Sequence, residues 1–388
     1  MKELIKEAEA IKDSLVACRR RLHGFAECGF YLPKTTDFVK NALQNIGYEP
    51  KECDKGGIVC ELSSSKSEIS TVLLRADMDA LPLREETRLS FRAENGNMHA
   101  CGHDMHTAML LGAAAILKKH ENALPFSVRF AFQSAEETLS GAEELRAAGV
   151  LRGVKAAMML HVVTAVPYPT GSLLLPPPGI SAPAACFFEI TVTGKSAHIG
   201  EAEKGVSALD AALCLYHAMK SASEEMGEGF LLSVGKWNAG DAPNIVPKRA
   251  VMAGSFRARE QEKVDGFRAR LLTLCASLDG GATARVRFRG YCPPLENNAE
   301  CLSLLSHTLP DYGFSLVETQ ASEGHAAEDF AVLAKECPSV ALAIAAGERE
   351  RGYEHPLHHP QVVFDEDALT VGAAAYSAGA LALQTFTK

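Results

Sequence analysis

Apolar and polar positions follow two regimes along the chain. Residues 3–22 carry Leu4, Ile5, Ala8, Ile11, Leu15 and Leu22 at helical spacing. Thr35 to Ile46 fits a second helix that stops at Gly47, a common C-terminal signal. Strand and helix patterns then alternate. Val72 to Ala76 (VLLRA) reads as a buried strand and His106 to Lys119 as a helix with a nearly all-apolar middle. Ser127 to Phe132 alternates as a strand, Ser140 to Ala148 fits a short helix, and Ala156 to Val163 reads as another buried strand. This βαβα order predicts a mostly parallel sheet with helices on both faces.

The pattern changes after PPPGISAP (Pro176 to Pro183). A strand at Phe187 to Thr193 precedes a helix at Gly205 to Met219. Strands at Phe230 to Trp237 and Ala250 to Arg257 follow, then a helix at Glu260 to Ala276 and a strand at Ala284 to Arg289. That is the β-α-β-β-α-β order of ferredoxin-like units. After the turn-rich CPPLENN (Cys292 to Asn298), the first regime resumes with a helix at Glu300 to Leu309, a strand at Val340 to Ala345 and a helix at Asp367 to Gln384. The expectation is an α/β fold. A discontinuous domain, 1–182 and 293–388, holds the mostly parallel sheet. Residues 183–292 form an inserted unit of ordinary domain size.

Composition narrows the function classes. Hydrophobic residues are 47% and charged residues 22% of the 388, which excludes a disordered chain or a small disulfide scaffold. A net charge of −9 argues against nucleic-acid and anionic-membrane partners, which need a basic field. The longest apolar run, Met109 to Leu117, is far short of the ~20 residues that span a bilayer. The charged N-terminal stretch reads as no signal peptide, so the expected location is cytoplasmic. Eleven scattered cysteines then read as mostly buried thiols, with room for a metal ligand among them.

Metal-competent side chains collect at the expected carboxyl ends of strands, where open α/β sheets bind ligands. They are Asp77 and Asp79; Cys101 and His103, flanked by His99 and His106; Glu136 and Glu137; His161; and, far along the chain, His355, His358 and His359. Cys-x-His ahead of a helix sets a thiolate two residues from an imidazole, and a helix N-terminus favours the thiolate. Alone, the pair reads equally as a buried thiol beside a satisfied core histidine. On an extended chain Glu136 and Glu137 point to opposite sides. One is then free to ligate while the other holds water as general base. A solvated pair opening a helix is the plainer alternative. His161 alone suits a core position, and Asp77 and Asp79 suit a turn or cap. Convergence of so many segments on one sheet edge favours a metal hydrolase.

RADMDALPL (Arg75 to Leu83), MHACGHDMHTAMLLGAA (Met98 to Ala114), FQSAEE (Phe132 to Glu137) and LHV (Leu160 to Val162) resemble a known family. It is the metal-dependent amidohydrolase branch of the aminoacylase/carboxypeptidase G superfamily. That branch includes hippurate hydrolases, auxin-conjugate hydrolases and N-acyl-amino-acid deacetylases. RRRLHGFAECGF, VTGKSAH (Val192 to His198), NIVP (Asn244 to Pro247), GSFR (Gly254 to Arg257), EDFA (Glu328 to Ala331) and LHHP (Leu357 to Pro360) extend the resemblance, in order, over nearly the whole chain. Phe25 to Glu27 (FAE) departs from the usual HPE, Ser134 from a usual Pro, and Cys186 from a frequent acidic residue.

The resemblance implies a two-metal centre held by Cys101, His103, Glu137, His161 and His358, with Glu136 as general base and Asp79 orienting the site. It implies that His198 reaches a partner subunit's site and steadies the oxyanion. Asn244 and Arg257 are implied to hold the substrate α-carboxylate. The implied reaction is hydrolysis of N-acyl amino acids (N-acetyl, N-benzoyl or related) by a homodimer joined through the inserted unit, which also serves as a lid. A dipeptidase or carboxypeptidase on the same scaffold is the alternative. A Cys/His/Glu set suits zinc or manganese, with cobalt and nickel as further options.

Overall fold

The computed structural model describes residues 3–64, 70–320 and 324–387. The chain divides into two compact units. One comprises Met1–Ser181, Glu296–Ser322 and Asp329–Lys388; the other comprises Ala182–Leu295 and Glu323–Glu328. The return of 323–328 to the second unit has no counterpart in the sequence pattern.

The larger unit holds an eight-stranded sheet. Its order is Lys51–Glu52, Ile58–Leu62, Ser127–Gln133, Thr71–Asp77, Val154–Val163, Ser339–Ala345, Leu173–Leu175, Leu316–Glu318. The four central strands, from Ser127–Gln133 to Ser339–Ala345, run parallel. Antiparallel pairs lie toward the edges. All seven residues of Thr71–Asp77 are buried, as a parallel strand covered on both faces requires. Helices His103–Lys119 and Ala368–Leu383 pack on each other and are buried almost throughout; that is why their sequences read apolar all round. Helices Gly141–Ala147 and Ala331–Ala334 pack together and on strands Ser127–Gln133 and Ser339–Ala345.

Two expectations change in detail. The N-terminal pattern resolves into two helices, Leu4–Glu9 and Lys12–Phe25. The helix expected from His106 begins at His103, so His103 occupies its first turn. Strands of two to five residues at the sheet edges went unread, being too short to set a period.

The second unit is the expected β-α-β-β-α-β sequence. Strands Ala184–Thr193, Leu231–Ala239, Arg249–Ala258 and Thr283–Cys292 alternate with helices Ala208–Glu225 and Gln261–Ala276. The sheet is antiparallel, in the order fourth, first, third, second strand. Phe188, Ile190, Phe256, Phe267, Leu215 and Met219 form its core under the helices. One edge, Thr283–Cys292, exposes Arg285, Arg287 and Arg289, charges that block strand addition. The other edge exposes Leu231 and carries one charge, Lys236. All eleven cysteines are free. Among the described residues no helix is long and apolar enough to cross a membrane.

Candidate metal centre

The four central strands of the large sheet end on one side, and the candidate residues follow those ends. Asp79 comes two residues after Thr71–Asp77, and Glu136 and Glu137 follow Ser127–Gln133. His161 lies near the end of Val154–Val163, and His358 sits in the loop beyond Ser339–Ala345. Cys101 and His103 flank Gly102, the N-cap of helix His103–Lys119. Gly102 has φ +86°, and a Cβ there would lie 2.3 Å from Val162 Cγ2. Both demands require glycine, so the Cys-Gly-His spacing is set by packing against the strand that carries His161.

Cys101, His103 and His161 present ligand atoms within 4.8 Å of one another, and so do Cys101, Glu137 and His358. The thiol belongs to both sets. His103 Nδ1–H donates to the Asp79 carbonyl at 2.8 Å and His161 Nδ1–H to the Val162 carbonyl at 2.8 Å. Each ring therefore turns Nε2 toward the cluster; His161 Nε2 is 3.5 Å from Cys101 Sγ. His103 Nε2 and Glu137 Oε1 lie 3.8 Å apart, buried, with no hydrogen-bond partner among the described residues. Buried polar atoms seldom lack partners. Two orphaned lone-pair atoms beside a thiol fit a divalent cation, and the S, N and O donors suit a borderline ion such as Zn²⁺, Mn²⁺, Co²⁺ or Ni²⁺.

The electrostatics are strongly perturbed. Burial and Glu137 push the Cys101 thiol up, but His161 and His103 outweigh them and lower it to about 6. The neighbouring Cys101 thiol and the Glu137 carboxylate, whose Oε1 lies 3.5 Å from His358 Nε2, raise His358 to about 10. Burial raises the Asp79 carboxyl. His358 has φ +65°, and its N–H donates to the Ala100 carbonyl at 2.9 Å. His359 faces elsewhere: its ring stacks on His355 at 4.1 Å, and its Nδ1 accepts the Gln361 N–H.

The expectation that Glu136 and Glu137 point to opposite sides is corrected. They lie in a turn after the strand, not on an extended chain. Ala135 has φ +57°. The N–H groups of Glu136 and Glu137 both donate to the Asp79 carboxylate, at 2.9 and 3.2 Å. Their carboxylates converge, lying 3.9 and 3.8 Å from His103 Nε2.

A buried polar layer that the sequence reading missed underlies these groups. Arg75, wholly buried within its strand, donates to Gln133 Oε1 at 2.9 Å, Asp77 at 2.7 Å and Asp329 at 3.0 Å. A charged residue inside the apolar run VLLRA was the available signal, because such a charge needs buried partners. His106 Nδ1 is 2.6 Å from Asp77 Oδ1, and burial lowers its pKa to about 4.

In the second unit, His198 and Asn244 lie at one end of the sheet, and the Ile199 N–H donates to the Asn244 carbonyl at 3.1 Å. His198 Nδ1 accepts the Gly200 N–H at 3.1 Å. Near that end Arg249 pairs with Thr193. Arg257, eight residues along the same strand, pairs with Ala185 and Leu231 and donates to the His325 carbonyl. At about 3.3 Å per residue, Arg257 is ~26 Å up the strand from Arg249. One copy of this unit thus separates Arg257 from His198 and Asn244.

A family model described as Peptidase family M20/M25/M40 matches residues 73–382. The chain is 31% identical to a protein of Synechocystis sp. described as a probable hydrolase, over 97% of each chain. It is 29% identical to the N-acetylcysteine deacetylase of Bacillus subtilis, over 95% of this chain and 96% of that one. It is 30% identical to thermostable carboxypeptidase 1 of Saccharolobus solfataricus, over 97% of each. Among solved structures, a dinuclear metal-binding peptidase from family M20 of Bacillus subtilis superposes with TM-score 0.73 at 28% identity, covering 97% of this chain and all of that one.

Proposed function

The chain belongs to peptidase family M20/M25/M40 and is a hydrolase acting on amides, and we propose that it cleaves the amide bond of N-acyl amino acids with two bound divalent ions. The observation that carries this is the pair of three-residue ligand sets sharing Cys101. Cys101, His103 and His161 would hold one ion, and Cys101, Glu137 and His358 the other. When bound, such ions lower the pKa of a water and polarise the scissile carbonyl.

The chain's own groups do the rest. Glu136, 6% exposed, is in neither of the two sets that share Cys101, although its carboxylate also groups with His103 and Glu137; it takes the proton of the attacking water and hands it to the leaving amine. Asp79 fixes the turn that aims Glu136 and Glu137 by holding both their N–H groups. Arg257 pairs with the substrate carboxylate through its planar fork. With Nδ1 of His198 accepting the Gly200 N–H, its Nε2 carries the proton and donates to the developing oxyanion. Arg257 and His198 lie too far apart within one copy to serve one small substrate. Two copies joined along the lightly charged Leu231–Ala239 edge bring Arg257 of one to His198 and Asn244 of the other. Eleven free cysteines suit a reducing, cytoplasmic setting.

The name of the Bacillus subtilis deacetylase supports the N-acyl substrate class, while the Saccharolobus carboxypeptidase favours a peptide substrate as the second reading. A panel of N-acetyl, N-benzoyl and indole-acyl amino acids against dipeptides and longer peptides separates them, run on metal-free protein reloaded with Zn²⁺, Mn²⁺, Co²⁺ or Ni²⁺. Turnover confined to peptides would replace the amidohydrolase reading.

A further inference from the structure

Strand Val154–Val163 pairs with Thr71–Asp77 only as far as Met159, opposite Arg75. Past that point it stays paired with Ser339–Ala345 on the other side, but the amides that face Thr71–Asp77 meet side chains in place of that strand. The Leu160 N–H donates to Tyr376 Oη at 3.0 Å, and that hydroxyl donates to the Arg75 carbonyl at 2.7 Å. The Val162 N–H donates to His106 Nε2 at 2.8 Å. An amide nitrogen is always the donor, so His106 Nε2 holds a lone pair and Nδ1 carries the proton. Nδ1–H donates to Asp77 Oδ1 at 2.6 Å, and Asp77 Oδ2 accepts from Arg75 at 2.7 Å. His106, Asp77 and Arg75 are all 0% exposed.

We propose that His106 is a positioning residue of the metal centre: its imidazole stands in for the strand carbonyl that the Val162 N–H lacks, and so holds the peptide that joins His161 to Val162. This rests on reading His161 as a metal ligand. His106 has the look of a ligand itself, one helical turn beyond His103, with its ring centroid 4.6 Å from that of His161. Yet both its nitrogens are engaged, one by an amide donor and one by a carboxylate. The His161 ring is oriented in turn by the Val162 carbonyl. Val162 is thus held at both ends, its N–H by His106 and its carbonyl by His161. Because buried amides require an acceptor, removing the His106 ring frees the segment that sets the His161 ring. Glutamine offers both a carbonyl acceptor and an N–H donor, and is the conservative replacement.

The test combines one measurement on the unaltered holoenzyme with two variants. Nitrogen-15 NMR of the histidine side chains should show His106 neutral, with its proton on Nδ1. In His106→Leu, hydrogen exchange at the Val162 amide should speed up at least about tenfold. Zn²⁺ affinity, measured calorimetrically on metal-free protein, should fall about 10- to 100-fold. His106→Gln should restore most of both. A proton or a metal on His106 Nε2 would overturn the proposal, as would unchanged Val162 exchange and Zn²⁺ affinity in His106→Leu. If His106→Leu fails to fold, the tautomer and the His106→Gln exchange rate decide. His161→Ala measured alongside separates the two claims. Full Zn²⁺ affinity there removes His161 from the ligand set, whereas undisturbed Val162 exchange in His106→Leu removes His106 from its positioning role.

Discussion

Arg19 and Asp104 form an ion pair of 2.8 Å with side chains 1% and 0% exposed. Asp104 immediately follows His103, so this pair ties the start of helix His103–Lys119 to helix Lys12–Phe25. The same Asp104 oxygen lies 2.9 Å from His23 Nδ1, and His23 Nε2 lies 3.0 Å from Glu85. Breaking one partner of a buried pair typically costs about 3–5 kcal/mol. Asp104→Asn should lower unfolding stability by that order in urea denaturation.

The pH dependence of that stability has two limbs. Burial pushes the Asp104 carboxyl up, but Arg19 and His23 outweigh it and hold it well below the usual carboxylate range. Its contribution is present above about pH 4 and is lost as pH falls through the folded value. For His23, burial lowers the pKa, but the hydrogen bonds to Asp104 and Glu85 prevail and raise it. That contribution is complete below about pH 6.5 and is lost as pH rises through the folded value. Denaturation of wild type and His23→Gln across both limbs checks the signs: the difference between them should shrink on the alkaline side.

Glu136→Gln should retain its metal and lose about 10²- to 10⁴-fold in kcat, the usual worth of a positioned proton carrier. Elemental analysis beside steady-state kinetics separates the two effects. Turnover within a few fold of wild type would take the proton-transfer role away from Glu136.

Metal-free protein should be alkylated at Cys101 near neutral pH, at a rate that falls as pH drops through about 6. Cys18, Cys60, Cys186 and Cys301, pushed up to about 12 by burial, should stay unmodified. Mass mapping with iodoacetamide checks this, and added Zn²⁺ should protect Cys101.

His198→Ala and Glu136→Gln, each nearly inactive, should regain activity when mixed under subunit exchange. Random pairing of two-fold dimers yields about a quarter of wild-type sites. Mixtures that stay inactive while mixed dimers form would argue that each site is built from one chain.

The long elements were legible because each spans enough residues to show its period. The β-α-β-β-α-β unit is the clearest case, with strands of nine or ten residues. The metal-competent residues were legible by type and by their place after apolar strands. The turn at Glu136 was not, because the φ of Ala135 is imposed by Asp79, 57 residues upstream of Glu136, which captures two amides at once. Nor was the partner of Arg75: Asp329 lies 254 residues away, and no local pattern encodes such a contact. His106 shows the same limit. Its residue type suggested a ligand, and only the end of a strand pairing reveals the amide it serves.

Strand Ser339–Ala345 lies in the middle of the large sheet, between Val154–Val163 and Leu173–Leu175, and His358 follows it. A chain growing on the ribosome at roughly 5–20 residues per second exposes Cys101, His103, Glu137 and His161 long before that strand emerges. The second candidate set, Cys101, Glu137 and His358, comes together only after residue 358 has emerged. A prematurely terminated product would carry an open sheet and a half-built ion site, and failure to retain metal would mark it as unfinished.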